Sequence, residues 1–259
     1  MLLAVDVGNT NVVFGAHDGE TWRHHWRVRT VRDKMADEYG VLLRSLLGEA
    51  DLTMSDFDRV VVASVVPPLT ARLEELVVEQ SLAEPLIIDH TVNTGLTFAV
   101  DTPSEVGADL IANAVAAYDR VRGACIVVDF GTATTFTAVS ADAAFLGVAI
   151  APGLNLAASA LAGGTAQLPQ VRLVPPGRAI GTNTVHSVQA GVMLGYVGLV
   201  EGLIERIQGE MDGPVQVLGT GGLSSVIAPL TSRFSEVDPW LTLDGIRIIG
   251  EGGLRRASA

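Results

Sequence analysis

The stretch Val5-Asp6-Val7-Gly8-Asn9-Thr10 follows three apolar residues near the start of the chain. A similar stretch, Val128-Asp129-Phe130-Gly131-Thr132, follows another apolar run almost half a chain length later. In each copy an apolar strand ends at an aspartate, and a glycine and polar residues lead into a second strand. A repeat on this scale predicts two similar domains that face each other across a cleft.

The repeated pattern suits a phosphate group together with a metal ion. Gly8 and Gly131 lack a Cβ atom, so a phosphate can approach the backbone closely. The polar residues after them offer N–H and hydroxyl donors in a tight turn, which favours anions. Asp6 and Asp129 repel phosphate, so we expect a cation such as hydrated Mg²⁺ between carboxylate and phosphate. Two ordinary hairpins with Asx-type turns are the alternative, and the domain-sized repeat argues against it.

Length and composition limit the class of protein. The chain has 259 residues, of which 48% are hydrophobic, enough for one large or two small domains. It has no apolar run of about 18 residues and no basic region before its first apolar stretch, so we expect neither a membrane span nor a signal peptide. Its single cysteine, Cys125, excludes an intrachain disulfide and is expected in a buried strand. These features predict a cytoplasmic location.

The charge pattern argues against a nucleic-acid partner. The net charge is −12, and arginines cluster only between residues 23 and 32. Lys34 is the only lysine, which excludes a P-loop, because that loop depends on Gly-Lys-Ser/Thr to bind phosphate. A nucleotide would therefore be held by backbone amides, hydroxyl groups and a metal ion.

Hydrophobic periodicity predicts an α/β fold with two ribonuclease-H-like halves. The first half is predicted to have strands at residues 2–7, 11–16, 21–30, 59–66 and 85–88 and helices at 37–50 and 69–82. The second half is predicted to have strands at 124–129, 134–140, 145–151 and 215–219 and helices at 154–162, 185–211 and 223–230. The expected domains are residues 1–118 and 119–259.

Asp109 lies in a stretch that links the two halves. The segment from Ser104 to Gly107 is expected to start a helix that runs to Arg122, which places Asp109 in the first turns. A carboxylate there is stabilised by the helix dipole, and that could be its whole role. The other interpretation is a general base at the edge of the cleft, because this helix leads directly into the second aspartate pattern.

Two further groups of glycines lie in the predicted long helix and after the strand at residues 215–219. Gly191, Gly195 and Gly198 lie along the predicted long helix, a spacing that suits close packing against another helix, for instance in a partner subunit. The strand at 215–219 runs into Thr220-Gly221-Gly222, where the bare backbone would let an adenosine or ribose lie flat. A plain strand-turn-helix explains the second feature equally well.

Taken together, the two phosphate-loop patterns and the strand ending in Thr-Gly-Gly resemble the acetate and sugar kinase, Hsp70 and actin superfamily. Within it, the chain resembles the type III pantothenate kinases over essentially its whole length. The motifs that carry the resemblance are Asp6-Val7-Gly8-Asn9-Thr10, Pro103-Ser104-Glu105-Val106-Gly107-Ala108-Asp109, Asp129-Phe130-Gly131-Thr132-Ala133, Gly181-x-Asn183-Thr184 and Leu241-Thr242-Leu243-Asp244-Gly245.

The resemblance implies ATP-dependent phosphorylation of pantothenate, the first step of coenzyme A synthesis. It also implies a homodimer that needs Mg²⁺ and a monovalent cation, K⁺ or NH₄⁺. Asp109 would be the base for the pantothenate hydroxyl, and Asp129 would help to hold the monovalent cation. The phosphates would be bound by Asp6 through hydrated Mg²⁺, and by Gly8, Asn9, Thr10, Gly131 and Thr132, with Gly221 in the adenosine loop. Pantothenate would be bound by Val100, Gly107, Ala108, Asp109, Leu110 and, from the partner subunit, Thr184.

Three positions in the pantothenate subsite depart from the family pattern. Leu110 stands where the family usually has an arginine that pairs with the pantothenate carboxylate, and Val100 and Thr102 replace the usual tyrosine and asparagine. A hydrogen bond to a charged group contributes about 1.5–3 kcal/mol, so its loss weakens binding about tenfold to a hundredfold unless another cation substitutes. Two alternatives therefore stay open: a nucleotide-binding accessory protein with this fold, and a kinase for another small hydroxylated substrate.

Overall fold

The computed structural model describes residues 1–80 and 84–254, and its contacts divide the chain into two compact units. The first unit consists of Met1–Leu96, Asp101–Ala116 and Thr242–Ala259, and the second of Thr97–Val100 and Ala117–Leu241. The longer segment of the second unit begins at Ala117, whereas the expected domains divide after residue 118. The segment that begins at Thr242 is grouped with the first unit, and Thr97–Val100 with the second.

The elements follow the predicted order closely. The strands are β1 (Leu2–Val7), β2 (Asn11–His17), β3 (Trp22–Arg29), β4 (Arg59–Ser64), β5 (Leu86–Ile87), β6 (Thr97–Phe98), β7 (Cys125–Phe130), β8 (Ala133–Val139), β9 (Ala144–Pro152), β10 (Gln216–Thr220) and β11 (Glu236–Val237). The α-helices are α1 (Ala36–Gly48), α2 (Pro67–Gln80), α3 (Ala108–Val121), α4 (Leu154–Gly163), α5 (Thr184–Glu210), α6 (Ser224–Ile227) and α7 (Leu241–Gly250). The predicted end of the second helix, residues 81–82, lies outside the described residues.

Both units contain the same sheet. In the first unit the strand order is β3-β2-β1-β4-β5, with β1, β2 and β3 antiparallel and β4 and β5 parallel to β1. In the second unit β9-β8-β7-β10-β11 repeats this order and these directions, and β6 adds a parallel strand beside β9. The repeat seen in the sequence is therefore a repeat of topology, and the predicted ribonuclease-H-like fold class is confirmed.

Each unit has its own hydrophobic core. In the first, Phe14 of β2 is buried against Tyr39 and Leu47 of α1 and the apolar face of α2. In the second, Phe130 and Phe136 are buried against α4, α5 and α6. Burying one large apolar side chain contributes about 1.5–3 kcal/mol, so these cores hold the sheets that carry the site. Cys125 is fully buried as expected, and burial raises the pKa of its thiol to about 12.

Helix α5 is the longest element, and its length and apolar composition resemble those of a membrane-spanning helix. An 18-residue window of it has a mean hydropathy of 1.4, and 33% of that window is buried, so by length and composition it could cross a bilayer. Its buried residues, among them Met193, Val200 and Ile204, pack in the core of the second unit. One face of α5 therefore packs in the core of the second unit.

Three elements were not predicted from the sequence. Strands β6 and β11 have two residues each, too few for any alternation of apolar and polar residues to show. Helix α7 packs in the first unit, where the Trp22 Nε1–H group donates to Asp244 Oδ1 at 2.7 Å. Gly245 of α7 lies so close to α3 that a Cβ atom would overlap the carbonyl group of Ala112. These contacts explain why the chain end joins the first unit.

Candidate active site

The predicted first phosphate loop is a tight turn between β1 and β2. The Gly8 N–H group donates to the Asn11 carbonyl oxygen at 3.0 Å, and a Cβ atom on Gly8 would lie only 3.3 Å from that oxygen. Thr30 braces the loop, because its hydroxyl donates to the Gly8 carbonyl oxygen at 2.6 Å and its N–H group to the Thr10 carbonyl oxygen at 2.9 Å. Asn9 and Thr10 are exposed, so the tip of the loop is open to a ligand.

Asp109 occupies the first turn of α3. The expected helix start at residue 104 is wrong, because Pro103–Glu105 form a 3-10 turn and α3 begins at Ala108. Asp109 Oδ1 accepts the Leu110 N–H group at 2.8 Å, and a Cβ atom on Gly107 would lie 2.6 Å from the same oxygen. Only glycine at position 107 allows this arrangement.

The environment of Asp109 favours the protonated carboxyl group. Burial raises its pKa above the ordinary aspartate value, and the hydrogen bond from the Leu110 N–H group opposes this effect only in part. A higher pKa makes the carboxylate a stronger proton acceptor. The shift is therefore in the direction that a general base needs.

Asp109 and the first phosphate loop lie at one edge of the first sheet. The Val65 N–H group, just after β4, donates to the Val7 carbonyl oxygen at the end of β1, at 3.1 Å. The Cβ position of Gly107 is 3.4 Å from Val65 Cγ1. The segment that carries Asp109 is thus placed at the carboxyl ends of β1 and β4, where the phosphate loop begins. This edge is where open α/β sheets bind ligands.

The predicted second phosphate loop is approached closely by two glycines of the second unit. Gly221 has φ +88°, and a Cβ atom there would overlap Asp129 Oδ1 and lie 2.7 Å from the Phe130 nitrogen. A Cβ atom on Gly153 would overlap the Thr132 carbonyl oxygen. The adenosine-loop role of Gly221 stays a prediction from the sequence. The structure shows that glycine is required at this position for the close contact with Asp129.

The neighbours of the two repeated aspartates differ. Asp6 pairs in register with Val13 and Ala63, whereas Asp129 pairs with Thr135 and Thr220. Paired residues on adjacent strands share a face of the sheet, so the second copy has two hydroxyl groups beside its carboxylate.

A monovalent cation fits the donors around Asp129. The Thr220 hydroxyl is fully buried and has no hydrogen-bond partner among the described residues, which is costly unless a ligand contacts it. One carboxylate and neighbouring hydroxyl oxygens form a donor set of low charge, as a singly charged cation requires.

A divalent ion would depend on ligands from outside the protein. Among residues 1–80 and 84–254, no group of three or more histidine, cysteine, aspartate or glutamate side chains could hold a metal. Mg²⁺ commonly binds through one or two carboxylates, substrate phosphates and water. Asp6 alone therefore fits the predicted role as an indirect Mg²⁺ ligand.

Thr184 begins α5 at the rim of an apolar groove. Asn183 caps the helix, since its Oδ1 accepts the His186 N–H group at 2.9 Å. The groove has a volume of about 540 Å³ and is lined by Thr184, Leu161, Leu168, Ser187, Val188, Gly191 and Val192. An exposed hydroxyl above an apolar wall could bind a small molecule with both polar and aliphatic parts.

The remaining predicted substrate residues are distributed over both units. Ala108 and Leu110 are buried at the start of α3 in the first unit, and Leu110 is only 8% exposed. Val100 is half-buried in the second unit.

Sequence reasoning missed Arg32, whose Nη2 donates to Asn9 Oδ1 at 2.8 Å. The only sequence signal for it was the arginine cluster at residues 23–32.

Comparison with known proteins agrees with this geometry. Residues 2–206 match the family described as type III pantothenate kinase. A type III pantothenate kinase from Moorella thermoacetica is 50% identical over 251 residues, covering 97% of this chain and 99% of the relative.

Solved structures share the fold at low sequence identity. The activator of the 2-hydroxyisocaproyl-CoA dehydratase from Clostridium difficile, with bound ADPNP, has a TM-score of 0.59 at 13% identity and covers 100% of this chain and 99% of its own. MreB 5 of Spiroplasma citri bound to AMPPNP has a TM-score of 0.54 at 9% identity, with 96% of both chains covered. On the family match and the full-length identity, this chain belongs to the type III pantothenate kinase family.

Proposed function

We propose that this protein transfers the terminal phosphoryl group of ATP to the hydroxyl group of pantothenate, giving 4′-phosphopantothenate, the first step of coenzyme A synthesis. The observation that carries the proposal is the position of Asp109 at the edge of the sheet where the first phosphate loop begins. Family membership supports the same reaction.

In this reaction Asp109 accepts the proton of the attacking hydroxyl group. Its hydrogen bond from Leu110 and its contact with Gly107 fix the orientation of the carboxylate before substrate binds. The open tips of the phosphate loops, with Asn9, Thr10 and Thr132, bind the phosphates. Mg²⁺ near Asp6 would neutralise phosphate charge, and K⁺ or NH₄⁺ would be held by Asp129 with Thr220.

The direct test measures ADP release in a coupled assay, with and without pantothenate, in potassium buffer and then in sodium buffer. We expect release that depends on pantothenate and is faster in potassium. Binding of ATP without any pantothenate-dependent release would instead favour the accessory-protein alternative. Release with a different hydroxylated compound would favour the other kinase.

Leu110→Arg should lower the KM for pantothenate about tenfold to a hundredfold while kcat changes little, because the new contact forms equally in the ground and transition states. Leu110 is buried, so the arginine must extend its aliphatic stem along the core and carry its charge to the surface. Leu110→Met is the matched control and should leave KM unchanged. An unchanged KM in Leu110→Arg, with micromolar binding by the wild type, would mean that another cation already contacts the carboxylate.

We infer that the protein is a homodimer and that α5 contributes to the interface. A Cβ atom on Gly191, Gly195 or Gly198 would meet nothing within 4 Å, so the glycine-lined side of α5 packs against nothing in the described part of the chain. Apolar side chains are exposed nearby, with Val185 44% and Leu194 36% accessible. An apolar surface of this kind is typical of subunit contacts.

The dimer is tested by replacing Gly195 with arginine. We expect light scattering to show a dimer for the wild type and a monomer for Gly195→Arg at micromolar concentration, because the long charged side chain blocks close helix packing. Gly209→Arg, near the exposed end of α5, should remain dimeric. A wild-type monomer would remove the basis for a contact between Thr184 and the substrate of the partner subunit. We also expect a cytoplasmic location and no membrane or nucleic-acid partner.

A further inference from the structure

We propose that Arg32 binds the terminal phosphate of ATP and orients Asn9 toward the same phosphate. The inference rests on the proposed kinase function and adds a residue that lies outside both phosphate-loop patterns.

The contact between Arg32 and Asn9 sets the direction of the asparagine amide. Arg32 Nη2 lies 2.8 Å from Asn9 Oδ1, and both side chains are exposed at the open end of the loop. A guanidinium group can only donate, so Asn9 must accept through its oxygen. Both Nδ2 hydrogens of Asn9 then remain available for an anionic ligand.

The backbone around Arg32 is fixed by the fold. Arg72 of α2 donates through Nη1 to the carbonyl oxygens of Arg32 at 2.9 Å and Lys34 at 2.8 Å. On the other side, the Thr30 N–H group donates to the Thr10 carbonyl oxygen in the phosphate loop. The backbone segment that carries the Arg32 guanidinium is therefore hydrogen-bonded to the first phosphate loop. Such preorganisation is what electrostatic catalysis requires.

The charge of Arg32 is available for a ligand. No ion pair between described residues involves it, whereas Arg23 at the other end of β3 pairs with Asp18. The Lys34 ammonium lies 5.2 Å from the centre of the Tyr39 ring. A planar guanidinium can donate two parallel hydrogen bonds to phosphate oxygens, which an ammonium cannot do. In a protein of net charge −12, an uncompensated arginine beside a phosphate loop is suited to an anionic substrate.

The position of Asp109 indicates which phosphate Arg32 meets. The phosphoryl group that is transferred must lie beside the hydroxyl that Asp109 deprotonates. Asp109 and the first phosphate loop lie at the same edge of the first sheet. The terminal phosphate would therefore lie over this loop. There the Arg32 guanidinium would stabilise the charge on the phosphate oxygens during transfer.

The test compares binding of ADP with binding of a non-hydrolysable ATP analogue by calorimetry. Arg32→Ala should weaken analogue binding about tenfold to a hundredfold and leave ADP binding nearly unchanged, because only the analogue has the terminal phosphate. The affinity of Arg32→Lys for the analogue should lie between the affinities of Arg32→Ala and the wild type. The control Arg23→Ala should bind both nucleotides as tightly as the wild type. The melting temperature should not change, since the Arg32 side chain is exposed and forms no ion pair within the described part of the chain.

The outcomes separate this inference from the proposed function. Equal losses for ADP and the analogue, or no loss for either, would overturn the role of Arg32 while the kinase proposal stands. A change confined to the KM for pantothenate would also overturn it and make Arg32 the carboxylate partner. A wild-type protein that binds neither nucleotide would refute the kinase proposal itself.

Discussion

Asp109→Asn should lower kcat by about 10²–10⁴-fold, the usual contribution of a general base. The amide keeps the size of the side chain but cannot accept the hydroxyl proton. Nucleotide affinity should be retained, because Asp109 lies outside the phosphate loops. The control is Glu105→Gln, which removes an exposed carboxylate from the same segment and should leave the rate unchanged. If the kcat of Asp109→Asn were within a few-fold of the wild-type value, Asp109 would not be the general base. Its role would then be limited to a favourable charge at the helix N-terminus.

The pH dependence of the wild type gives a second measure of this residue. The base must be deprotonated, so kcat/KM should fall as the pH is lowered through the pKa of Asp109. Burial raises that pKa, so the fall should begin at a higher pH than for an ordinary aspartate. The acidic limb should disappear in Asp109→Asn.

Gly245→Ala should destabilise the protein by about 3 kcal/mol, the upper end of the usual cost of overpacking. The added methyl group would overlap the backbone carbonyl of Ala112, and a backbone atom within α3 cannot move aside as a flexible side chain would. The midpoint of urea unfolding should fall without a change in slope.

The matched control is Gly209→Ala in α5, where a Cβ atom meets nothing within 4 Å. Replacing glycine by alanine within a helix stabilises it by roughly 0.5–1 kcal/mol, so this variant should unfold at slightly higher urea concentration. If Gly245→Ala were as stable as the wild type, the close packing of α7 on α3 would be incorrect. The assignment of α7 to the first unit would then lose its main support.

The strands and the glycine-containing turns of the two repeated patterns were predictable because their signals are local. The predicted first strand, residues 2–7, has the observed bounds of β1, since an uninterrupted apolar run leads directly into a turn. The predicted helix at 223–230 instead divides into α6 and a 3-10 turn, because Pro229 cannot donate the hydrogen bond that would continue the helix. Asp109 could be named from its motif, but the environment that raises its pKa is visible only in three dimensions.

The sequence by itself determined the repeated Asp-x-Gly pattern, the fold class and the family, because each rests on short motifs that can be recognised one by one along the chain. Tertiary structure alone decided which distant residues support the site. Helix α7 joins the first unit through contacts such as Trp22 with Asp244, which are 222 positions apart. Thr220 reaches Asp129 through strand pairing, and Arg32 reaches Asn9 because β3 returns along the sheet to the phosphate loop. Such pairings depend on the path of the chain, which no local pattern encodes.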